Sequence, residues 1–314
     1  MQTRPFGKKD LQVSEIGHGT WTMGSMWGPR DDEKALSSLI RSLELGVTFI
    51  DTAYVYGDGH SEQLIAKAFK KTGKKVFVAT KVPPKNYQWP ARHHVPVSET
   101  FPAEHIVKFT ETSLKNLEMD CVDLQQLHVW SDNWLDQGDW LTAVEKLKRD
   151  GKIRFFGVSI NDHEPDSALK IVESGLIDSV QVIYNIFEQR PEEKLFPLCQ
   201  KMGVAVIARV PLDEGSLTGT LTPKTQFPKG DWRKHYFTPE RLKETCARVE
   251  KIKNLPHTAL QFCLSHPAVT TVIPGMRTIA HVEDNCAASG KKLSASELAE
   301  LKKQAWPRNF YPVY

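Results

Sequence analysis

The chain has 314 residues, of which 40% are hydrophobic and 25% charged, and its formal net charge is +3. This composition provides apolar material for a large core and excludes a disordered chain. The Lys and Arg residues are scattered over the whole length with no basic tail or stripe, which argues against a nucleic-acid partner.

In chain order, the N-terminal MQTRPFGKKDLQVSEIG is polar and lacks the apolar stretch of a secretory signal. No apolar run approaches membrane-spanning length, so a cytoplasmic protein with no membrane partner is expected. Residues 6–13 read as a hairpin closing the floor of a barrel. From about 16 to 273, short β-branched runs alternate with segments of helical period, the mark of βα units around a parallel sheet. The strand-like runs are 15–17, 47–50, 76–80, 122–127, 153–158, 179–183, 204–210 and 270–273. Helices are expected at 31–45, 61–70, 102–117, 139–150, 165–174, 191–202, near 258–266 and at 279–288, several opened by Asp or Ser caps or by Pro in the first turn. Length alone does not decide the number of domains. Eight strands each followed by a helix make an α/β protein, a (β/α)8 TIM barrel, as one domain over 1–314.

Two connections after strand ends are long, 83–101 and 212–237, and on a barrel both rise over the mouth as lid candidates. The first carries Tyr87, Trp89, Arg92, His93 and His94; the second carries Phe227, Trp232, Arg233, His235 and Tyr236. A capped helix is expected at 294–304, and the aromatic tail WPRNFYPVY is expected to fold back over the mouth. The five cysteines are odd in number, widely spaced and free of any C-x-x-C pair. That pattern argues against a disulfide framework and a zinc site and fits a reducing compartment.

The segments GVTFIDTAYVYGDGHSE and VFVATKV put Asp51, Tyr56 and Lys81 at or just after the ends of consecutive strands. The C-terminal ends of barrel strands are where reacting groups sit. An ammonium beside a phenol favours the phenolate, and an aspartate holds the lysine charged and oriented. The expectation is a Tyr56 able to give up a proton near neutral pH. His128 joins them from DLQQLHVW, where the apolar run 122–127 stops.

With GTW, DTAxxYG, SExxIAKAF, ATK, DLxxLH, IRFFGVS, QVxYN, VIPG and Asn285 spread over nearly its whole length, the chain resembles the aldo-keto reductases. The resemblance implies that Asp51, Tyr56, Lys81 and His128 are catalytic, with Tyr56 protonating a carbonyl oxygen as hydride reaches the carbon and His128 orienting the carbonyl. A histidine here, where relatives that reduce carbon–carbon double bonds carry glutamate, favours carbonyl reduction. The implied cofactor is NADP(H), with NAD(H) as the alternative, held in extended form without a Rossmann domain and without a metal. In keeping with this, Gly17, Gly19 and Gly24 lack the G-x-G-x-x-G spacing and read as a tight turn.

By the same resemblance Ser159, Asn161 and Gln181 hold the nicotinamide carboxamide, although Ile160 separates two residues that the family keeps adjacent. Leu212, Gly215, Ser216 and Leu217 wrap the pyrophosphate. Gly275 opens a helix N-terminus suited to a phosphate, with Arg277, His281 and Asn285 around the adenosine 2′-phosphate and adenine. Arg209 stands where relatives place an aromatic residue that stacks on the nicotinamide. It is planar but cationic, so it is expected to disfavour the oxidised ring relative to the reduced one. Trp21, Trp27, Trp89 and Trp130 are expected to line or rim the pocket. The implied partner is a small-molecule carbonyl, apolar or ring-bearing from the aromatic ring of residues, or acidic if Arg92 and Arg233 reach it. The implied assembly is a monomer. Two other readings remain at this stage: a redox-sensing accessory subunit that binds the cofactor and turns over slowly, and a metal-dependent barrel enzyme, for which no convincing ligand set is present.

Overall fold

The structure, a computed structural model, describes residues 1–8, 10–24 and 30–311. An N-terminal antiparallel pair comprises β1 (Thr3–Pro5) and β2 (Gln12–Ser14), and past its strand ends the Phe6 N–H donates to the Leu11 carbonyl at 2.9 Å. Eight parallel strands follow: β3 (His18–Gly19), β4 (Phe49–Asp51), β5 (Phe77–Val82), β6 (Val122–Leu127), β7 (Ile153–Ser159), β8 (Ser179–Ile183), β9 (Ala205–Arg209) and β10 (Val269–Val272). Each is hydrogen-bonded to its neighbour in sequence. Parallel bridges from Ile16 to Val272 and from Gly19 to Gly275 join the first strand to the last. The expected (β/α)8 barrel is thereby closed.

Gly17 and Gly19 are not a tight turn; they lie in this seam. The Gly17 N–H donates to the Val272 carbonyl at 2.8 Å and that of Gly19 to the Pro274 carbonyl at 3.0 Å. A Cβ on Gly19 would stand 2.6 Å from the Ile273 carbonyl oxygen, so only glycine permits this approach.

The helices Asp32–Glu44, His60–Thr72, Ala103–Leu117, Trp140–Arg149, Leu195–Met202, His257–Ser265 and Ile279–Cys286 surround the sheet, and Ala295–Lys302 follows, close to the expected spans. Asp31 caps the first through the Lys34 N–H, and Ser294 with Glu297 forms a reciprocal capping box on the last. The expected helix 165–174 is divided into a 3-10 turn, Pro165–Ala168, and a short α-helix, Leu169–Glu173. Among the described residues three helices were not foreseen, the short Val97–Thr100 and Arg233–Tyr236 and the longer Pro239–Val249; the last has a narrow apolar stripe, burying only Leu242, Thr245 and Cys246, in a segment that is polar overall.

The floor is sealed by the hairpin turn. Phe6 is fully buried, with its ring 5.0 Å from Phe77 and 5.3 Å from Phe155, and Phe49 stacks on Phe77 at 5.1 Å. Burying one such phenylalanine contributes about 1.5–3 kcal/mol. The strand order thus leaves the C-terminal rim as the open end. There the segment 83–101 follows β5, the segment 212–237 follows β9, and the tail returns with the Trp306 N–H bonded to the Phe187 carbonyl at 2.8 Å. Among the described residues no helix is long and apolar enough to cross a membrane.

Candidate active site

Three neighbouring strands bring the expected tetrad together. Asp51 ends β4, Lys81 lies one residue before the end of β5, and His128 follows β6 with its N–H on the Val82 carbonyl. Tyr56 stands on the turn between β4 and the helix His60–Thr72, and its N–H donates to the Ala53 carbonyl at 3.1 Å. The turn presses on the segment Trp21–Gly24, where a Cβ on Gly24 would lie 2.8 Å from Tyr56 Cα. The Lys81 ammonium uses all three of its protons, on Asp51 Oδ1 at 2.6 Å, the Thr52 carbonyl at 2.8 Å and the Tyr56 hydroxyl at 3.3 Å. Both ends of the ion pair are buried, at 0% and 4% side-chain exposure. The second Asp51 oxygen accepts from Gln181 Nε2 at 2.7 Å. The Tyr56 and His128 rings lie 5.9 Å apart at 74°, and Trp89 stands edge-on to His128, also at 5.9 Å.

Burial opposes the charge on Lys81, but Asp51 and Tyr56 outweigh it and the ammonium is held above its ordinary pKa. For Tyr56 the balance falls the other way. Burial pushes the phenol up, and the opposing Lys81 charge does not cancel it. The expectation of a lowered Tyr56 pKa is therefore corrected: the site holds a phenol that keeps its proton, beside a cation able to stabilise the phenolate once the proton has left. His128 is driven well below its ordinary value, first by burial and then by the charges of Lys81 and Arg209, so it is neutral. A neutral imidazole still offers one N–H to an acceptor in the mouth.

The other half of the rim follows β7 to β10, four neighbouring strands. Ser159 ends β7 and is paired in register with Gln181 of β8. Arg209 ends β9; its Nη2 donates to the Ile160 carbonyl at 2.8 Å and to Asp162 Oδ1 at 2.7 Å. Leu212, Gly215, Ser216 and Leu217 lie in a tightly wound segment in which Asp213, Glu214 and Gly215 all have positive φ. Gly275 sits at the seam, and Arg277, His281 and the buried Asn285 follow on the helix Ile279–Cys286 and the turn before it, where Thr278 accepts from the His281 N–H at 3.2 Å.

The Aldo/keto reductase family model matches residues 15–305. The chain belongs to that family. Aldo-keto reductase YhdN of Bacillus subtilis (strain 168) is 31% identical over 96% of this chain and 92% of its own. Methylglyoxal reductase YeaE of Escherichia coli (strain K12) is 31% identical over 95% of this chain and 93% of its own. Aldo-keto reductase AKR11C1 from Bacillus halodurans, solved in its holo form, superposes with a TM-score of 0.77 at 31% identity, covering 98% of this chain and 97% of its own. This aldo/keto reductase is accordingly a nicotinamide-dependent oxidoreductase acting on carbonyl or alcohol groups.

The residues around its mouth fit a nicotinamide cofactor. His128 Nδ1, Arg209 Nε and Thr22 Oγ1 are buried polar atoms with no partner among the described residues, as in walls that receive a polar guest. Three sequence expectations part from the structure. Asn161 does not offer a free amide: its Oδ1 accepts from the Ala91 N–H at 2.9 Å, and its Nδ2 donates to the Ala91 carbonyl at 3.2 Å and to Glu164 at 2.8 Å. With Ile160 taking the position after Ser159, Asn161 is displaced along the chain and anchors the segment 83–101. Trp130 lines no pocket; it is fully buried against Trp134 at 5.9 Å and Trp140 at 5.3 Å, in the layer between sheet and helices. Arg233 is committed to Asp231 through Nε and Nη2. Trp21 and Trp89 do stand at the mouth, whereas Trp27 lies outside the described residues.

Residues that the sequence reading missed are Asp162, which faces Arg209, and Asp213, Glu214, Arg308 and Tyr311, which tie the tail to the segment after β9. The one available signal was the pair of acids in VPLDEGSLTG, at a place where an anion was expected.

Proposed function

We propose that this aldo/keto reductase reduces small aldehydes or ketones to alcohols, with NADPH preferred as hydride donor and Tyr56 as proton donor. The observation that carries the reading is the Lys81 ammonium, with one proton directed at the Tyr56 hydroxyl and the other two fixed by Asp51 and the Thr52 carbonyl. When bound, the reduced nicotinamide supplies the hydride that adds to the carbonyl carbon. Tyr56 gives its proton to the carbonyl oxygen, so that C=O becomes CH–OH. The electron pair left on the phenolate is stabilised by Lys81, whose position Asp51 and Gln181 secure. Neutral His128 donates its N–H to the same carbonyl oxygen and fixes its direction. Ser159 and the Oε1 of Gln181 are the groups assigned to the carboxamide, and Leu212, Gly215, Ser216 and Leu217 those assigned to the pyrophosphate. Arg277 beside the helix N-terminus supports a 2′-phosphate and hence NADPH. Five free cysteines, three of them buried, support a cytoplasmic location.

The test is oxidation of NADPH with a panel of aldehydes, ketones and sugars, comparing the native protein with Tyr56→Phe. Turnover is expected to fall by about 10²–10⁴ in the variant with an unchanged NADPH dissociation constant. Tight binding of NADPH with negligible native turnover across the panel would replace this reading with that of a cofactor-sensing subunit.

A further inference from the structure

The segment after β9 poses an electrostatic problem. In the reading above it receives the cofactor's pyrophosphate, an anion, yet it carries two buried carboxyl groups, Asp213 and Glu214. Two uncompensated carboxylates in a poorly solvated wall would repel that guest. Compensation comes from the far end of the chain. Arg308 Nη2 donates to Asp213 Oδ2 at 2.5 Å, with the two side chains only 6% and 1% exposed. Ser216 Oγ donates to the same oxygen at 2.5 Å. The Tyr311 hydroxyl donates to Glu214 Oε1. Burial pushes the Glu214 carboxyl up to about 8, which leaves it largely uncharged at neutral pH.

The tail is seated for this task by aromatic faces. The Arg308 guanidinium lies 4.1 Å from the Trp306 ring and 5.0 Å from those of Phe187 and Phe310. Tyr311 stacks on Trp232 at 5.6 Å and 10°, and Trp232 in turn stands 5.4 Å from Trp21 at the mouth. The segment itself needs holding, because Asp213 and Glu214 have φ of +46° and +55°, a conformation that non-glycine residues keep only when their surroundings enforce it.

We infer that the C-terminal tail is the charge-compensating part of the dinucleotide site: Arg308, on a tail that Tyr311 seats against Trp232, neutralises Asp213 beside the buried Glu214 and so permits a pyrophosphate to lie against the segment 213–214. Arg308 is a positioning residue, acting through Asp213 and not through contact with the reacting atoms. The inference rests on the reading that residues 212–217 hold the cofactor's pyrophosphate.

The experiment is equilibrium titration of NADPH and NADP⁺, followed by quenching of protein fluorescence, on the native protein, Arg308→Met, Asp213→Asn and the double variant. Arg308→Met is expected to weaken both dinucleotides by about tenfold or more, and the double variant to recover to within about threefold of native, since removing both charges restores neutrality. Tyr311→Phe, which keeps the ring on Trp232 and removes only a bond that favours charged Glu214, is expected to leave both affinities within about twofold of native. Unchanged affinity in Arg308→Met, or a loss that Asp213→Asn does not rescue, overturns the inference while leaving the cofactor reading intact. Native protein that binds neither dinucleotide overturns the cofactor reading and the inference with it.

Discussion

Two aspartate–cation pairs buried at the rim, Asp51–Lys81 and Asp213–Arg308, are built differently. Lys81 and Asp51 sit on adjacent paired strands, so sheet register sets their separation, and every ammonium proton has an acceptor. Arg308 and Asp213 belong to a tail and a loop, brought together by side-chain packing and by the backbone bond from Trp306 to Phe187 and not by strand register. Among the described residues Arg308 Nε and Nη1 have no acceptor, and they lie among ring faces. A pair held by register is stiff and serves chemistry that tolerates little displacement. A pair held by a tail can part without unfolding the barrel, which suits a wall that must admit and release a large guest.

Removing each cation should separate the two designs most sharply. Lys81→Met leaves Asp51 buried and unpaired, so a loss of about 3–5 kcal/mol is expected in denaturant unfolding. Arg308→Met should cost about 1–3 kcal/mol by the same measurement, because the tail can lift and let Asp213 meet water. Equal losses would mean that the tail is as firmly built in as the sheet.

A smaller effect is expected from pH. Glu214 has its carboxyl raised from 4.5 to about 8 in the fold, so the folded state binds its proton more tightly than the unfolded chain does. Its contribution to stability is complete below about 4.5 and is lost progressively as pH rises through 8. Thermal unfolding at pH 5 and pH 8.5 should show the native protein losing several degrees more than Glu214→Gln, and parallel losses would contradict the assignment. Smallest of all is the effect at Arg209. Asp162, 2.7 Å away, offsets much of the positive charge expected to act on the nicotinamide. Asp162→Asn should unmask it and raise the preference for NADPH over NADP⁺ by about two- to fivefold in the ratio of dissociation constants.

The comparison also shows what a sequence can disclose. Asp51, Lys81 and His128 were legible because each is a polar residue at or next to the end of a β-branched run, and parallel strands bring such positions to one rim. Arg308 and Asp213 were not legible as partners, since no period or register relates a tail to a loop. Trp130 was misread because a rim tryptophan and a core tryptophan look alike when only three residues past a strand end. The rise in the Tyr56 pKa escaped for a similar reason: the Lys81 charge is written in the sequence, whereas desolvation is a property of the assembled mouth. Asn161 carried a warning in the inserted Ile160, but its true partner, the Ala91 backbone, belongs to a loop without any local signature.

The glycine seam has a consequence in time. During synthesis β3 is the first strand of the barrel to emerge and β10 the last, and β4 to β9 can each pair with a neighbour already made. The contacts of Glu15, Gly17 and Gly19 that close the barrel must wait for residues 272–275. Until then the nascent protein is an open curved sheet with two bare edges, each a template for pairing with another chain. A ribosome that stalls before β10 therefore leaves behind a sticky intermediate, while one that finishes releases a barrel with no edge at all.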